Sequence, residues 1–252
     1  MKEERRRRKL EEALRTPGDY QHRALESGHP IQRQWHRSKL GLLDWFFTPA
    51  PGERVLDVGC GSGVFAAAMA SRGAEVEAID ANDDAIAYAR RTFERPGLRF
   101  ACGLLEDLDF PPASFDRAVC LEVIEHIEVE RTRRLLGHLR RIVRRGGALL
   151  VTTPNYRGLW PLVEWGADRF SGAAHMGGVQ HVTRFHRSRI ARLLAEEGFR
   201  VEAIRTYCTL APFAAALSRR LASACDGVER RIDLPFGNLL AVRAVNEAHG
   251  SD

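Results

Sequence analysis

The sequence predicts an α/β fold in which a doubly wound sheet of seven strands is covered by helices. Three features predict it: an apolar run at residues 55–58 that leads into closely spaced glycines, a strand-and-helix alternation that recurs five times up to residue 152, and two further strand-like segments near the C-terminus. Repeated strand–helix units form parallel sheets with right-handed crossovers. A chain of 252 residues with 44% hydrophobic content can bury one such core.

The first 52 residues are predicted to form a helical extension ahead of the sheet. Residues 2–15 are dense in charge and suggest an exposed helix, which the turn-forming segment 16–19 ends. A second, amphipathic helix is predicted from Pro30 to residue 48. It either covers a ligand site, with Trp35 and His36 at the pocket, or packs as an ordinary surface helix.

The first predicted strand ends in three glycines at alternate positions, Gly59, Gly61 and Gly63. Glycines adopt dihedrals that a Cβ forbids, and they let a ligand approach the main chain. A dinucleotide fingerprint would need a glycine where Val64 stands, so the spacing does not match one. Asp57 would repel a diphosphate and suits a ligand that carries an amine or a positive charge. The alternative is a turn that merely packs a helix on the sheet.

The remaining strands and helices follow in order. Strands are predicted at residues 75–80, 98–102, 115–121, 148–152, 199–207 and 238–245, and helices at residues 65–72, 83–95, about 135–143 and 185–198. The connecting segments at about 154–183 and 209–236 are too long for ordinary loops and are predicted to be insertions. The second is predicted to be an amphipathic helix that covers the substrate, contacts a membrane surface, or simply packs.

Acidic residues end two of the predicted strands. Asp80 closes the second strand, where a carboxylate can accept both hydrogen bonds of a ribose diol, or can instead cap the next helix. Glu122, Glu125 and His126 follow the fourth strand. Because ligands bind outside the carboxyl ends of such strands, these side chains are expected to border a site. They could hold a hard cation, or act as a base with its orienting partner.

The composition excludes several classes of protein. The five cysteines are scattered and lack a Cys-x-x-Cys pair, so the sequence indicates neither a disulfide framework nor a zinc site, and a reducing, cytoplasmic setting is expected. No apolar stretch approaches the ~20 residues of a membrane-spanning helix. The net charge of +5 permits contact with phosphates or an anionic bilayer without requiring either.

The glycine turn resembles motif I of the class I S-adenosylmethionine (SAM)-dependent methyltransferases at Asp57, Gly59, Gly61 and Gly63. The resemblance implies a Rossmann-like sheet with an antiparallel last strand, and a SAM-binding domain at residues 53–252. The cofactor-binding residues that it implies are Asp57, Gly59, Cys60, Gly61, Gly63, Asp80, Ala81, Leu104, Leu105 and Leu121. Many relatives carry an acid at the position of Leu104. In this chain adenine would be held by apolar contacts, by backbone groups, or by Glu106 or Asp107.

The Glu122 to His126 segment resembles a motif of the ubiquinone-biosynthesis O-methyltransferases and of the small-RNA 3′-terminal 2′-O-methyltransferases. In those families it supports a divalent ion that binds the acceptor hydroxyls, and His181 matches a further histidine of the RNA enzymes. The implied catalytic residues are His126, Glu122, Glu125 and His181. The alternatives are that a histidine acts as an unassisted base, or that the motif only positions the substrate or caps a helix, so no residue is assigned to a metal.

These resemblances imply a SAM-dependent methyltransferase that acts on a hydroxyl of a small hydrophobic molecule, such as a prenylated phenol, another lipid intermediate or a secondary metabolite. The aromatic insertion after residue 153 suits a flat or greasy acceptor. Peripheral membrane contact fits the second insertion. Two alternatives stay open: an RNA 2′-O-methyltransferase that uses the basic N-terminus, and a SAM-binding regulatory protein without turnover.

Overall fold

The computed structural model describes residues 17–170 and 181–247, without the side chains of residues 166–170. The predicted helix at residues 2–15 lies outside the described residues. The strands are β1 (Arg54–Val58), β2 (Glu75–Asp80), β3 (Leu98–Cys102), β4 (Phe115–Leu121), β5 (Val143–Pro154), β6 (Phe199–Tyr207) and β7 (Leu239–Asn246). The helices are α1 (Tyr20–Glu26), α2 (Pro30–Trp45), α3 (Val64–Ala70), α4 (Asp83–Phe93), α5 (Val129–Ile142), α6 (Trp160–Phe170), α7 (Arg187–Glu196), α8 (Ala211–Ala214) and α9 (Arg219–Glu229).

The seven strands form one sheet in the order β3-β2-β1-β4-β5-β7-β6. Strands β1 to β5 pair in parallel, and β7 lies antiparallel between β5 and β6. The predicted seven-stranded sheet with an antiparallel last strand is therefore confirmed. The strand order reverses between β1 and β4, and this is where an open α/β sheet forms a crevice for ligands.

The core has two halves, one on each face of the sheet. Val55 of β1 packs in the half beneath α2, α3 and α4, and the next residue, Leu56, packs in the half beneath α5 and α7. Both side chains are fully buried. Strands that are covered on both faces carry apolar residues on both sides, which is why the neighbouring residues Val55 and Leu56 are both apolar.

The end of α5 differs from the prediction. The helix ends at Ile142, and β5 begins at Val143, ahead of the predicted strand start at residue 148, so it runs through the Gly146-Gly147 pair. The pairing of β5 with β4 shifts register next to these glycines, and Gly146 has a φ of +72°. The side-chain amide of the buried Asn246 donates to the carbonyls of Arg140 and Val143, at 2.9 and 2.7 Å. These bonds satisfy carbonyls at the helix end, so the glycines serve an irregular strand instead of a helix cap.

The insertion at about 209–236 contains two helices, α8 and α9, where a single helix was predicted. The carboxylate of Glu229, in α9, accepts hydrogen bonds from the backbone N–H groups of Thr209, Leu210 and Ala211, at 2.6–2.9 Å. One buried acid therefore caps the start of α8 and holds the two helices together. The insertion packs on α2, where the Ser38 hydroxyl donates to Asp226 at 2.7 Å.

Candidate active site

The glycine turn lies at the carboxyl end of β1 and has the backbone that its sequence predicts. Gly59, Gly61 and Gly63 have φ angles of +76°, +52° and +82°. A Cβ on Gly59 would lie 2.3 Å from Cγ2 of Val123, and one on Gly63 would lie 2.8 Å from the Phe100 ring. These positions need glycine both for conformation and for space. The turn leaves its backbone at the border of the crevice beside β4.

Asp80 ends β2 beside the glycine turn. One carboxylate oxygen accepts from the backbone N–H of Gly61 and the other from the backbone N–H of Asn82, both at 2.8 Å. The side chain of Asn82, not Asp80, caps α4 by accepting from the Ala85 N–H at 3.3 Å. Each carboxylate oxygen can accept a second hydrogen bond, so Asp80 keeps the capacity to bind a ribose diol.

Asp57 lies buried beneath the same turn, with 1% of its surface exposed. Its Oδ2 atom has no hydrogen-bond partner among the described residues. Burial, together with the neighbouring Asp80, raises the pKa of Asp57 to about 7, although Lys39 opposes the shift. A buried carboxylate with an unpaired oxygen fits a cationic group, such as the ammonium of the methionine part of SAM.

Helices α1 and α2 cover this cleft. Gln21, His36, Lys39 and Leu40 line it from the covering side, and Leu121 lines it from the end of β4. Burial, with a smaller contribution from Lys39, lowers the pKa of His36 to about 4. His36, a sequence candidate for the substrate pocket, thus lies in the cleft beside the glycine turn.

Lys39 is a site residue that the motifs did not reveal. Its ammonium group is 2.9 Å from Oε2 of Glu122, and its side chain is 10% exposed. A clue was present in the composition, because the chain contains 35 arginines but lysine only at positions 2, 9 and 39. A lone lysine on the amphipathic helix marks a place for a compact charge.

Glu122 follows β4 with a φ of +57°, which is unusual for a residue other than glycine. Its Oε2 pairs with Lys39, and its Oε1 is buried without a hydrogen-bond partner among the described residues. Strained backbone of this kind is typical of functional sites, where the surrounding structure imposes it. The geometry directs the side chain toward α2, where Lys39 lies.

Glu125, His126 and His181 come together at the end of β4. One possible ligand atom from each lies within 4.8 Å of the others. The backbone carbonyl of Glu125 accepts from the N–H groups of Val182 and Thr183, at 2.7 and 3.0 Å, which holds the His181 segment against the motif. Burial raises the pKa of Glu125 to about 8, and Glu122 adds to the shift. The predicted proximity of His181 to His126 agrees with the structure, with ring centroids 5.1 Å apart.

His181 is held by two residues from the first insertion. Its Nδ1 lies 2.8 Å from the Tyr156 hydroxyl and 3.2 Å from Oε1 of Glu164, and that hydroxyl donates to Glu164 at 2.9 Å. Burial and the neighbouring His126 lower the pKa of His181. The sequence did not predict Tyr156 and Glu164 as partners of His181, because they lie 25 and 17 residues away and no helical or strand period links them.

An aromatic wall adjoins this cluster. The rings of Trp35 and Trp160 lie 5.5 Å apart, and Trp160 lies 5.7 Å from the His181 ring. Trp35 comes from α2 and Trp160 from α6, so the extension and the first insertion meet here. Rings in this arrangement can contact a flat apolar ligand.

The other predicted cofactor residues lie around the same crevice, and their contacts with SAM stay predictions. Cys60 and Leu121 are buried and line the cleft beside Asp57. Ala81 follows Asp80 directly, while Leu104 precedes the 3₁₀ turn Leu105–Asp107, in which Leu105 is buried. The carboxylate of Glu106, one of the alternatives for adenine binding, pairs with Arg131 at 2.8 Å.

The side chains of this cluster are of the kinds that bind divalent ions. Glu125, His126 and His181 offer one carboxylate and two imidazoles, which are ligands for divalent ions. Oε2 of Glu125 is buried and has no hydrogen-bond partner among the described residues. The donor set therefore fits a divalent cation.

Comparisons with known proteins agree with the fold and the site. Residues 20–204 match a family described as a methyltransferase domain. Among curated relatives, the ubiquinone biosynthesis O-methyltransferase of Idiomarina loihiensis is 31% identical over 159 residues, which cover 62% of this chain and 65% of that protein. The enzyme of the same description from Thiobacillus denitrificans is 31% identical over 166 residues, covering 64% and 71%. The chain spans about half of the length of other curated relatives that it matches, such as 53% of the enzyme of the same description from Azoarcus sp..

Solved structures give the same fold. A SAM-dependent methyltransferase from Archaeoglobus fulgidus superposes with a TM-score of 0.61 at 18% identity, covering 90% of this chain and 98% of that one. One from Mesorhizobium loti gives 0.60 at 20% identity, covering 82% and 97%. The chain therefore belongs to the methyltransferase-domain family and has the fold of the SAM-dependent methyltransferases.

Proposed function

We propose that the protein transfers the methyl group of SAM to a hydroxyl of a small hydrophobic acceptor. The observation that carries the proposal is the cluster of Glu125, His126 and His181 beside the aromatic wall, in which Glu125 and His181 are buried. A methyl transfer to a hydroxyl needs a base or a cation next to the acceptor oxygen, and this group supplies both kinds of side chain. The curated O-methyltransferase relatives support the same reaction class.

The cofactor end of the crevice suits the amino-acid end and the ribose of SAM, which supplies a methyl group already activated by its sulfonium. Asp57 offers a carboxylate to the ammonium of the methionine part, and Lys39, which lines the same cleft, offers an ammonium to its carboxylate. Asp80 offers acceptors to the ribose diol. Together these charges hold the amino-acid end and the sugar, so that the methyl group points toward one region of the site.

The acceptor end suits an apolar, flat molecule. Trp160 and Tyr156 place aromatic surface beside His181, with ring centroids 5.7 and 6.1 Å from the His181 ring, and the Trp35 ring lies 5.5 Å from that of Trp160. Such surface favours a phenol-like ring over a charged nucleotide backbone. No contact among the described residues favours RNA.

His181 is the first candidate base. The Glu164 carboxylate favours the tautomer that carries its proton on Nδ1, which leaves Nε2 able to accept a proton from the hydroxyl. Because its pKa is lowered, the imidazole is neutral at pH 7 and ready for that role. If a divalent cation is bound, Glu125, His126 and His181 would hold it, and it would make the acceptor hydroxyl more acidic.

The test is methyl transfer from labelled SAM to a panel of phenols and catechols, with and without EDTA. His181→Ala and His126→Ala should each lower kcat at least about 100-fold, the typical contribution of a positioned acid or base, while SAM still binds. A loss of wild-type activity in EDTA that added cation restores would assign the metal role. Unchanged rates for both variants in both conditions would remove the chemistry proposed for this cluster. Tight SAM binding with no methylated product would favour a regulatory protein.

A further inference from the structure

Large exposed apolar side chains are concentrated in one part of the described surface. Of the eleven among the described residues, seven lie in the insertion that holds α8 and α9: Leu210, Phe213, Leu217, Leu221, Val228, Ile232 and Phe236. Two more, Leu162 and Trp165, lie in the first insertion. Single apolar residues on a surface need no explanation, but a concentration of them marks a contact surface.

Six of these side chains follow helical spacing. Leu210, Phe213 and Leu217 recur at intervals of three and four along α8 and the turn that follows it. Leu221, Val228 and Ile232 recur at intervals of seven and four along α9 and its last turn. We call these six residues the outer face. Residues between them on both helices are buried and small, namely Ala211, Ala214, Ala215 and Ala222.

The outer face is therefore more apolar than a surface helix pair requires. An ordinary surface helix buries its large apolar residues and exposes polar ones. Here the alanines face inward, while Leu217 is 81% exposed and Phe213 is 41% exposed. Packing against the rest of the protein does not account for the choice of leucine and phenylalanine at these positions.

The exposed charge beside the outer face is positive. Arg219, Arg220 and Arg231 are exposed, and no ion pair connects them to an acid among the described residues. The acids of the same segment are all engaged elsewhere. Asp226 pairs with Arg230 at 2.6 Å, Asp233 pairs with Arg187, and the carboxylate of the buried Glu229 binds backbone N–H groups.

The insertion is fixed to the active-site cover. Asp226 accepts from Ser38 of α2, and the Arg230 guanidinium lies against Gly41 of the same helix. Lys39, which lies between Ser38 and Gly41 in sequence, forms an ion pair with Glu122 at 2.9 Å. The outer face thus lies one helix layer away from the residues proposed to bind the cofactor and acceptor.

We propose that the outer face docks on an anionic lipid surface, with its apolar side chains at the acyl boundary and Arg219, Arg220 and Arg231 at the lipid phosphates. This combination of an apolar stripe with flanking arginines is typical of helices that lie in a membrane interface. A second copy fits less well, since a twofold dimer through this face would bring the same unpaired arginines together. No helix among residues 17–170 and 181–247 is long and apolar enough to cross a bilayer.

The proposal gives the enzyme access to acceptors dissolved in the bilayer. This benefit of docking rests on the proposed function, because it assumes that the acceptor is hydrophobic and dissolved in the bilayer. The docking itself does not depend on methyl transfer, so the two can fail separately.

The test is sedimentation of the full chain with vesicles of phosphatidylcholine alone, or of phosphatidylcholine with about a third phosphatidylglycerol. We expect binding to the anionic vesicles that weakens as salt rises. Phe213→Ser with Leu217→Ser, which leaves the net charge unchanged, should weaken binding at least tenfold. Arg219→Gln with Arg220→Gln should also weaken it roughly tenfold or more. The matched control is Arg91→Gln with Arg99→Gln, which removes two exposed charges elsewhere and should have less effect.

The controls separate the possible outcomes. Methylation of a water-soluble acceptor should be unchanged by Phe213→Ser with Leu217→Ser, which also shows that the variant is folded. Absence of binding to anionic vesicles at low salt would overturn the proposal, as would equal binding by wild type and both outer-face variants. A concentration-dependent dimer in sedimentation velocity that Leu217→Ser abolishes would overturn it in favour of a second copy. Vesicle binding without any methyl transfer would reject the proposed function alone.

Discussion

Among the residues of the cleft, Asp57 has the environment best suited to bind a positively charged ligand group. Its carboxylate is buried, and one oxygen lacks a partner among the described residues, although Lys39 lies in the same cleft. Lys39 instead pairs with Glu122. A zwitterionic ligand end would satisfy both groups at once, so the two residues are expected to discriminate ligands by the amino-acid part.

Asp57 also predicts how stability depends on pH. Its pKa is raised to about 7 in the folded protein, from an ordinary value of 3.8. Between these values the folded state holds a proton that the unfolded state has lost, so the free energy of unfolding falls as the pH rises from about 4 to about 7. Asp57→Asn should therefore raise Tm more at pH 8 than at pH 5 in the absence of SAM. Asp109→Asn, at an exposed site, is the control, and an equal pH dependence of Tm in wild type and Asp57→Asn would contradict the account.

Lys39 gives a prediction about ligand preference. Lys39→Met should weaken binding of S-adenosylhomocysteine at least about tenfold, because its methionine-type carboxylate loses a charged partner. Binding of 5′-methylthioadenosine, which lacks the amino-acid part, should be nearly unchanged. Asp80→Ala should instead weaken both ligands, since both carry the ribose. Calorimetry with the two ligands measures this, and an equal loss for both in Lys39→Met would assign Lys39 a structural role only.

At the scale of single elements, the turn between β1 and α3 is the most constrained part of the crevice. Gly59 has a φ of +76°, and a Cβ at this position would lie only 2.3 Å from Cγ2 of Val123. Gly59→Ala should lower the free energy of unfolding by about 2 kcal/mol or more. In a Val123→Ala background the cost should shrink, because the Cγ2 atom is gone. Chemical denaturation of the four proteins measures the coupling, and strict additivity would show that the contact does not matter.

The elements differ in how far sequence predicts them. The strands were predictable because each carries apolar residues, in a run or in alternation with polar ones, between turn residues. The glycine turn was predictable because its spacing is local. The end of α5 was not predictable, since Asn246 satisfies its carbonyls from more than a hundred positions away in sequence. The contacts of Lys39, Tyr156 and Glu164 were not predictable for the same reason. Only the fold brings Lys39 to Glu122, and Tyr156 and Glu164 to His181.

At the scale of the whole molecule, the additions to the sheet lie over one crevice. The extension supplies Trp35 and Lys39, the first insertion supplies Trp160 and Glu164, and the second insertion fixes α2 from outside. The division at residue 52 and the cytoplasmic setting stay predictions. The sheet and its glycine turn provide the cofactor site that is common to this fold, while these additions are expected to determine which acceptor binds.

The central claim is the transfer of a methyl group to the oxygen of an apolar small molecule. The most direct measurement is mass spectrometry of a cell lysate incubated with the protein and SAM that carries an isotopically labelled methyl group. We expect label on a hydroxyl oxygen of a lipid-soluble compound with the wild-type protein, and loss of this label with His181→Ala. Label found in RNA or on nitrogen, or no transferred label although SAM binds, would contradict it.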